Sequence, residues 1–172
     1  EYNRLTDGER GTSSYVVDIP EGGSARIVGN MIEHGPATLN HGMISYAGEA
    51  NEHPDNRLTI ANNSIYNRDF EGIIVRNHRD LDVVMVNNLL GGAPAATTDS
   101  VIELINNLTH PAHGMRDPRN YDFGLATGAP AIDAGVEFEV IPSKEYVHPV
   151  GWHERQKVWR LDVGAFERCG LD

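Results

Sequence analysis

Val84-Met85-Val86-Asn87-Asn88-Leu89-Leu90 decides the fold: an apolar, β-branched run, a pair of asparagines, and an apolar continuation. The phrase returns as Ile27-Val28-Gly29-Asn30-Met31-Ile32, as Ile60-Ala61-Asn62-Asn63-Ser64-Ile65 and as Leu104-Ile105-Asn106-Asn107-Leu108, and Tyr2-Asn3-Arg4-Leu5 has the form of another copy's end. Its asparagines Asn3, Asn30, Asn63, Asn88 and Asn107 stand 27, 33, 25 and 19 residues apart. That spacing suits a solenoid in which loops of varying length interrupt a constant strand.

A second series keeps step with the first: Ser14-Tyr15-Val16-Val17-Asp18, Gly42-Met43-Ile44-Ser45-Tyr46 and Gly72-Ile73-Ile74-Val75-Arg76. The segments are short, β-branched and bounded by Gly, Pro, Asn and Asp, and no stretch sustains a helical period over three turns. Two strand registers are therefore expected. The asparagines have a physical reason to recur, because a side-chain amide at a sharp corner satisfies turn backbone groups and bonds the same amide one coil away. Asn62-Asn63-Ser64 and Asn107-Leu108-Thr109 also match the glycosylation acceptor pattern, which a corner ladder explains better.

The expected fold is all-β, a right-handed parallel β-helix (β-solenoid). Residues 1–120 supply the coils, and 121–172 supply the last coil and a C-terminal cap of the same domain. The 172 residues suffice for one core. Acidic residues outnumber basic ones 25 to 14, so nucleic acid and anionic lipid are excluded as expected partners, and any polyanion needs a local basic patch. No apolar run approaches the roughly 20 residues of a membrane span, and nothing at Glu1 resembles a signal peptide. The chain opens inside a strand pattern, so it is expected to be a mature product or a fragment with earlier coils removed. Cys169 is the only cysteine, which leaves no disulfide framework and no thiolate metal site.

The tail carries Gly128-Ala129-Pro130-Ala131-Ile132-Asp133-Ala134-Gly135 and, later, Asp162-Val163-Gly164-Ala165-Phe166-Glu167. These phrases resemble the closing signature of secreted bacterial parallel β-helix proteins of the pectate-lyase-like superfamily, and the upstream segments are similar to uncharacterised members of that group. The resemblance implies a chain that is secreted, periplasmic or on the cell surface. It does not fix a substrate, since one fold serves many functions. Pro130, Pro142 and Pro149 cannot donate to a ladder, so a segment bearing them with Trp152 and Trp159 is expected to cover the last open coil. A sugar-stacking platform is the alternative for the two tryptophans.

Outward strand positions and loops are left for function. If the second series stacks as aligned, Asp18, Tyr46 and Arg76 occupy equivalent positions to within one residue, about 4.8 Å apart. The longest excursion, with its flanking strands, carries His41, Glu49, Asn51, Glu52, His53 and Arg57, and the next coil adds Arg68, Asp69, Glu71, His78 and Arg79. On a uronic acid polymer, as the resemblance permits, β-elimination needs the sugar carboxylate neutralised and a base for the C5 proton. Glu49, Asn51 and Glu52 form the best oxygen cluster for Ca²⁺, Arg57 or Arg76 would be neutraliser or base, and His41 or Tyr46 would supply a proton. Asp18, His78 and Arg79 would contact the polysaccharide. A hydrolase would instead need a carboxylate pair, for which Asp69 with Glu71 or Glu49 with Glu52 are the candidates. The histidines are scattered without a zinc pattern, with His110 and His113 flanking Pro111. The rival reading is non-catalytic: an adhesin, a glycan binder or a rod that self-associates through an open solenoid edge.

Overall fold

The computed structural model describes residues 1–69, 72–93, 96–98, 102–109 and 114–168. Its architecture is all-β, and the one helical turn among the described residues is a 3₁₀ turn over Pro118–Asn120. No helix among them is long and apolar enough to cross a membrane.

Among the described residues thirteen strands lie in three parallel sheets, each taking every third strand. The first sheet holds β1 (Arg4–Thr6), β4 (Met31–His34), β7 (Ser64–Asn67), β10 (Leu89–Gly92) and β13 (Leu108–Thr109). The second holds β2 (Val17–Ile19), β5 (Gly42–Tyr46), β8 (Ile73–Asn77) and β11 (Ala96–Thr98). The third holds β3 (Ala25–Val28), β6 (Arg57–Ala61), β9 (Asp82–Val86) and β12 (Glu103–Ile105). The chain thus visits the three sheets in rotation, and Ile32 and Ile65, Ile44 and Val75, and Ile60 and Met85 bring all three into one apolar cluster.

Two registers were expected and three sheets are found. Each apolar-Asn-apolar phrase is two strands meeting at a corner. Gly29, Asn62, Asn87 and Asn106 stand there with φ of 64, 51, 52 and 49°, the left-handed region that Gly and Asn tolerate best. The residue that follows carries the ladder. Asn3 Nδ2 donates to Asn30 Oδ1 (3.3 Å), Asn30 to Asn63 (2.9 Å), Asn63 to Asn88 (2.9 Å) and Asn88 to Asn107 (2.8 Å). Each acceptor oxygen also takes the backbone N–H of the preceding ladder residue, so buried Asn30, Asn63 and Asn88 leave little hydrogen-bonding capacity unused.

The tail does something the sequence does not announce. On the outward side of the first sheet, Met31, Tyr66 and Leu89 pack against Met115, Phe123, Leu125 and Val163. Met115 and Phe123 come from a hairpin of β14 (Met115–Asp117) and β15 (Asp122–Leu125). On the third sheet, Val28, Ala61 and Val86 are covered by Phe138 and Val140. Polar contacts follow the same route: Asn106 Nδ2 donates to Ala134 O (2.8 Å), Arg57 Nη2 meets Glu139 (3.0 Å), and Ser143 N donates to Tyr2 Oη (3.2 Å). The tail was expected to close the last coil. Its described residues run along the flank from the last described corner back to the first strand, where apolar outward residues of two sheets are covered. It then forms a hairpin of β16 (Lys144–Tyr146) and β17 (Trp152–Glu154) before Asp162–Glu167 returns to the flank.

Candidate functional site

The second sheet carries a polar outward row. Its register pairs Val17 with Ile44 and Ile44 with Val75, which point inward, and so aligns Asp18, Ser45 and Arg76 on the outer side. Ser45, not Tyr46, stands between Asp18 and Arg76. A one-residue difference in register reverses the face. Tyr46 is fully buried, its hydroxyl donates to Gly23 O at 2.6 Å, and burial raises its pKa with a further contribution from the Asp82 charge. It is a core anchor and cannot hand a proton to a bound sugar.

Just before β5, His41 Nδ1 lies 2.6 Å from Asp69 Oδ2, the histidine half exposed and the carboxylate largely buried. Asp69 is fixed by its neighbour Asn67, whose Oδ1 accepts the Asp69 N–H (3.1 Å) and whose Nδ2 donates to the Asp69 carbonyl (2.8 Å). Beside His41, Gly42 permits a close approach: a β-carbon there would meet Arg76 Cδ and Nε at 2.9 Å and Tyr15 Cε1 at 3.0 Å. The Arg76 side chain and the Tyr15 ring therefore both lie against the Gly42 backbone, next to His41 in the chain. An imidazole oriented by a carboxylate, with a guanidinium alongside, is an arrangement able to move a proton near a bound anion.

The remaining expected residues scatter. His78 Nε2 is 3.4 Å from Ser45 Oγ, at the edge of the same row. Arg79 donates from Nε to Ala47 O (3.1 Å) and from Nη2 to Glu49 O (2.6 Å), so it organises the loop backbone. Glu49, Asn51 and Glu52 are exposed. No group of three or more His, Cys, Asp or Glu side chains stands together as a metal site among the described residues. Arg57 lies on the third sheet, opposite Asp82 and paired with Glu139, and does not join His41. Glu71, His110, His113 and Cys169 lie outside the described residues.

The groups whose proton affinity is most disturbed lie in the tail. Glu145, Asp162 and Glu167 are buried with Arg155, and burial pushes all three carboxyls above their ordinary range against the pull of Arg155 and of backbone N–H donors. Arg155 Nε donates to Glu167 Oε1 (2.6 Å), Glu167 N to Glu145 Oε1 (2.7 Å), and Asp133 N and Arg168 N to the two oxygens of Asp162 (2.6 Å each). These bonds tie the closing phrase Asp162–Glu167 to the tail hairpin, a structural lock beside a cavity of about 500 Å³. Perturbed carboxyls in a cleft are often functional, but here the hydrogen bonds account for their burial and the burial for the upward shift.

No family model, no curated protein and no solved structure matches the chain.

Proposed function

We propose that the three sheets are the faces of a right-handed parallel β-helix, and that the chain is an extracellular carbohydrate-active protein, lyase-like on an acidic polysaccharide. The rotation of the chain through the sheets supports the first part, and the right-handedness of nearly all parallel crossovers supplies the hand. The observation that carries the second part is the His41–Asp69 pair beside Arg76. Arg76 pairs with the uronate carboxylate and so acidifies the C5 proton. His41, held through Nδ1 by Asp69, removes that proton at Nε2. The C5–H electrons form the C4–C5 double bond, the C4–O bond breaks, and the departing oxygen takes a proton from solvent water while His41 releases the one it removed. Asp18 and His78 extend the contact along the row.

The test is incubation with polygalacturonate, alginate and glucuronan, followed by ultraviolet absorbance of the unsaturated ends. An absorbance rise that His41→Ala abolishes is expected. Silence across the panel, with and without added Ca²⁺, sinks the lyase reading. A second reading, a binding or self-assembling rod, is favoured by β1, β2 and β3, which stand at one edge of their three sheets. Light scattering decides it, since a monomer mass independent of concentration rules assembly out.

A further inference from the structure

A groove of about 780 Å³ lies between β1 of the first sheet and the β16–β17 hairpin, on a different sheet from His41. Its wall combines aromatic surface with positive charge. Tyr146 and Trp152 are direct cross-strand partners, so their side chains share one face of the hairpin, and Lys144, two residues before Tyr146, shares it too. Lys144 Nζ sits 3.3 Å from the Trp152 ring centroid. Across the groove the Arg4 guanidinium lies 4.0 Å from the Tyr121 ring centroid, with Nη1 3.2 Å from His148 Nδ1. Tyr2 and the acidic Glu1 complete the rim.

Two features set this groove apart. Trp152 is 55% exposed, and Val150 in the adjoining turn is 92% exposed, so neither is placed there chiefly to stabilise the hairpin. In a chain with net charge -11, neither Lys144 nor Arg4 is in an ion pair with a carboxylate among the described residues, whereas Arg57, Arg68, Arg116, Arg155 and Lys157 are. The two cations are held instead against aromatic faces, where charge stays available to an incoming anion. Indole and phenol faces stack on the C–H face of a sugar ring, and a flanking ammonium and guanidinium receive a carboxylate.

We propose that this groove is a second glycan site, taking a sugar ring that bears a carboxylate, with Trp152 and Tyr146 as the platform and Lys144 and Arg4 as the acid-reading groups. The site goes beyond the lyase reading and shares with it only the class of polymer. It needs no chemistry at His41.

The experiment uses the full chain with His41→Ala, so that ligand is not consumed, and with Trp159→Phe, which leaves Trp152 as the sole tryptophan. Its emission is titrated with a galacturonate hexamer and with the carboxyl-reduced hexamer, and affinities are checked by calorimetry. Expected are a saturable change in emission, affinity about 10-fold or more higher for the acidic chain, loss of about 10-fold on Trp152→Ala, recovery with Trp152→Phe, and equal affinity for the two chains in Lys144→Gln. No saturable response, equal affinity of the parent for acidic and reduced chains, or a Trp152→Ala protein that binds like the parent overturns the site. Because the titration is run without His41, a chain that binds here but shows no lyase activity, or the reverse, separates the two readings.

Discussion

The side chain of Asn87 grips the backbone of Val136 at two points: its Oδ1 accepts the Val136 N–H at 3.0 Å and its Nδ2 donates to the Val136 carbonyl at 2.8 Å. A corner amide thus pairs the tail as a neighbouring strand would. Asn106 adds a bond to Asn87 Oδ1 (2.8 Å) and one to Ala134 O (2.8 Å), so the corner column of one sheet stack holds the flanking strap.

Asn87→Ala is therefore expected to destabilise the protein by about 3 kcal/mol, from two lost tail bonds and a residue less suited to φ 52°. Asn87→Gly restores the backbone preference without the bonds and should recover about 1 kcal/mol of it. Denaturant unfolding gives the numbers, and earlier proteolytic cutting within residues 134–142 shows that the strap is what loosens. An unchanged unfolding midpoint in Asn87→Ala argues that the clamp is incidental.

The ladder predicts a gradient of cost along the column. Asn63 is fully buried, donates to Asn88 Oδ1 and Ile27 O, and accepts from Asn30 twice, whereas Asn3 is exposed at the end. Asn63→Asp keeps the size but replaces both donors by an acceptor in a buried site, with an expected cost above about 3 kcal/mol. Asn3→Asp is expected to cost under about 1 kcal/mol. Equal costs at the two positions would mean that the column does not act as a buried network.

Stability is expected to fall as pH rises from about 4 into the neutral range through the carboxyls of the tail lock. Glu145, Asp162 and Glu167 titrate above their ordinary range in the folded chain, so the folded state binds more protons than the unfolded one across that window. Their favourable contribution is complete below the ordinary values and lost as pH passes the raised ones. Asp122, held below the ordinary range by Arg116, acts the other way in stronger acid, and its exposure keeps that effect small. Glu145→Gln should flatten the slope and be the more stable protein at pH 8. Melting temperatures across pH 4 to 8 decide it, and parallel curves for the two proteins would remove Glu145 from the lock.

Activity and stability should separate at His41 and Tyr46. His41→Ala is expected to lower turnover of a responsive polyuronate by about 10² to 10⁴, and Asp69→Asn to lower it less, with little change in stability for the exposed histidine. Tyr46→Phe loses a buried bond to Gly23 O and should cost about 1 kcal/mol with turnover kept. A Tyr46→Phe protein that is stable but inactive would reverse the assignment.

The column Asn3, Asn30, Asn63, Asn88 and Asn107 was readable from the sequence because stacking demands the same side chain at every corner, whatever the loop between. Parallel β character was readable for the same reason, since β-branched phrases bounded by turn residues repeat without a helical period. The third sheet was not: a left-handed corner at Gly29, Asn62, Asn87 or Asn106 leaves no mark that separates one strand bending from two strands meeting.

Linear order alone determined that strand phrases recur and that amides line a corner, because local turn chemistry and repeated side chains are properties of the chain. Only the tertiary structure decided which way each residue faces and what covers it. Ser45 replaces Tyr46 on the outer row through one residue of register, His41 meets Asp69 across 28 residues, and the tail covers apolar outward residues that a strand pattern leaves unassigned. Those outcomes depend on contacts between segments far apart in sequence, where packing and not local preference sets the geometry.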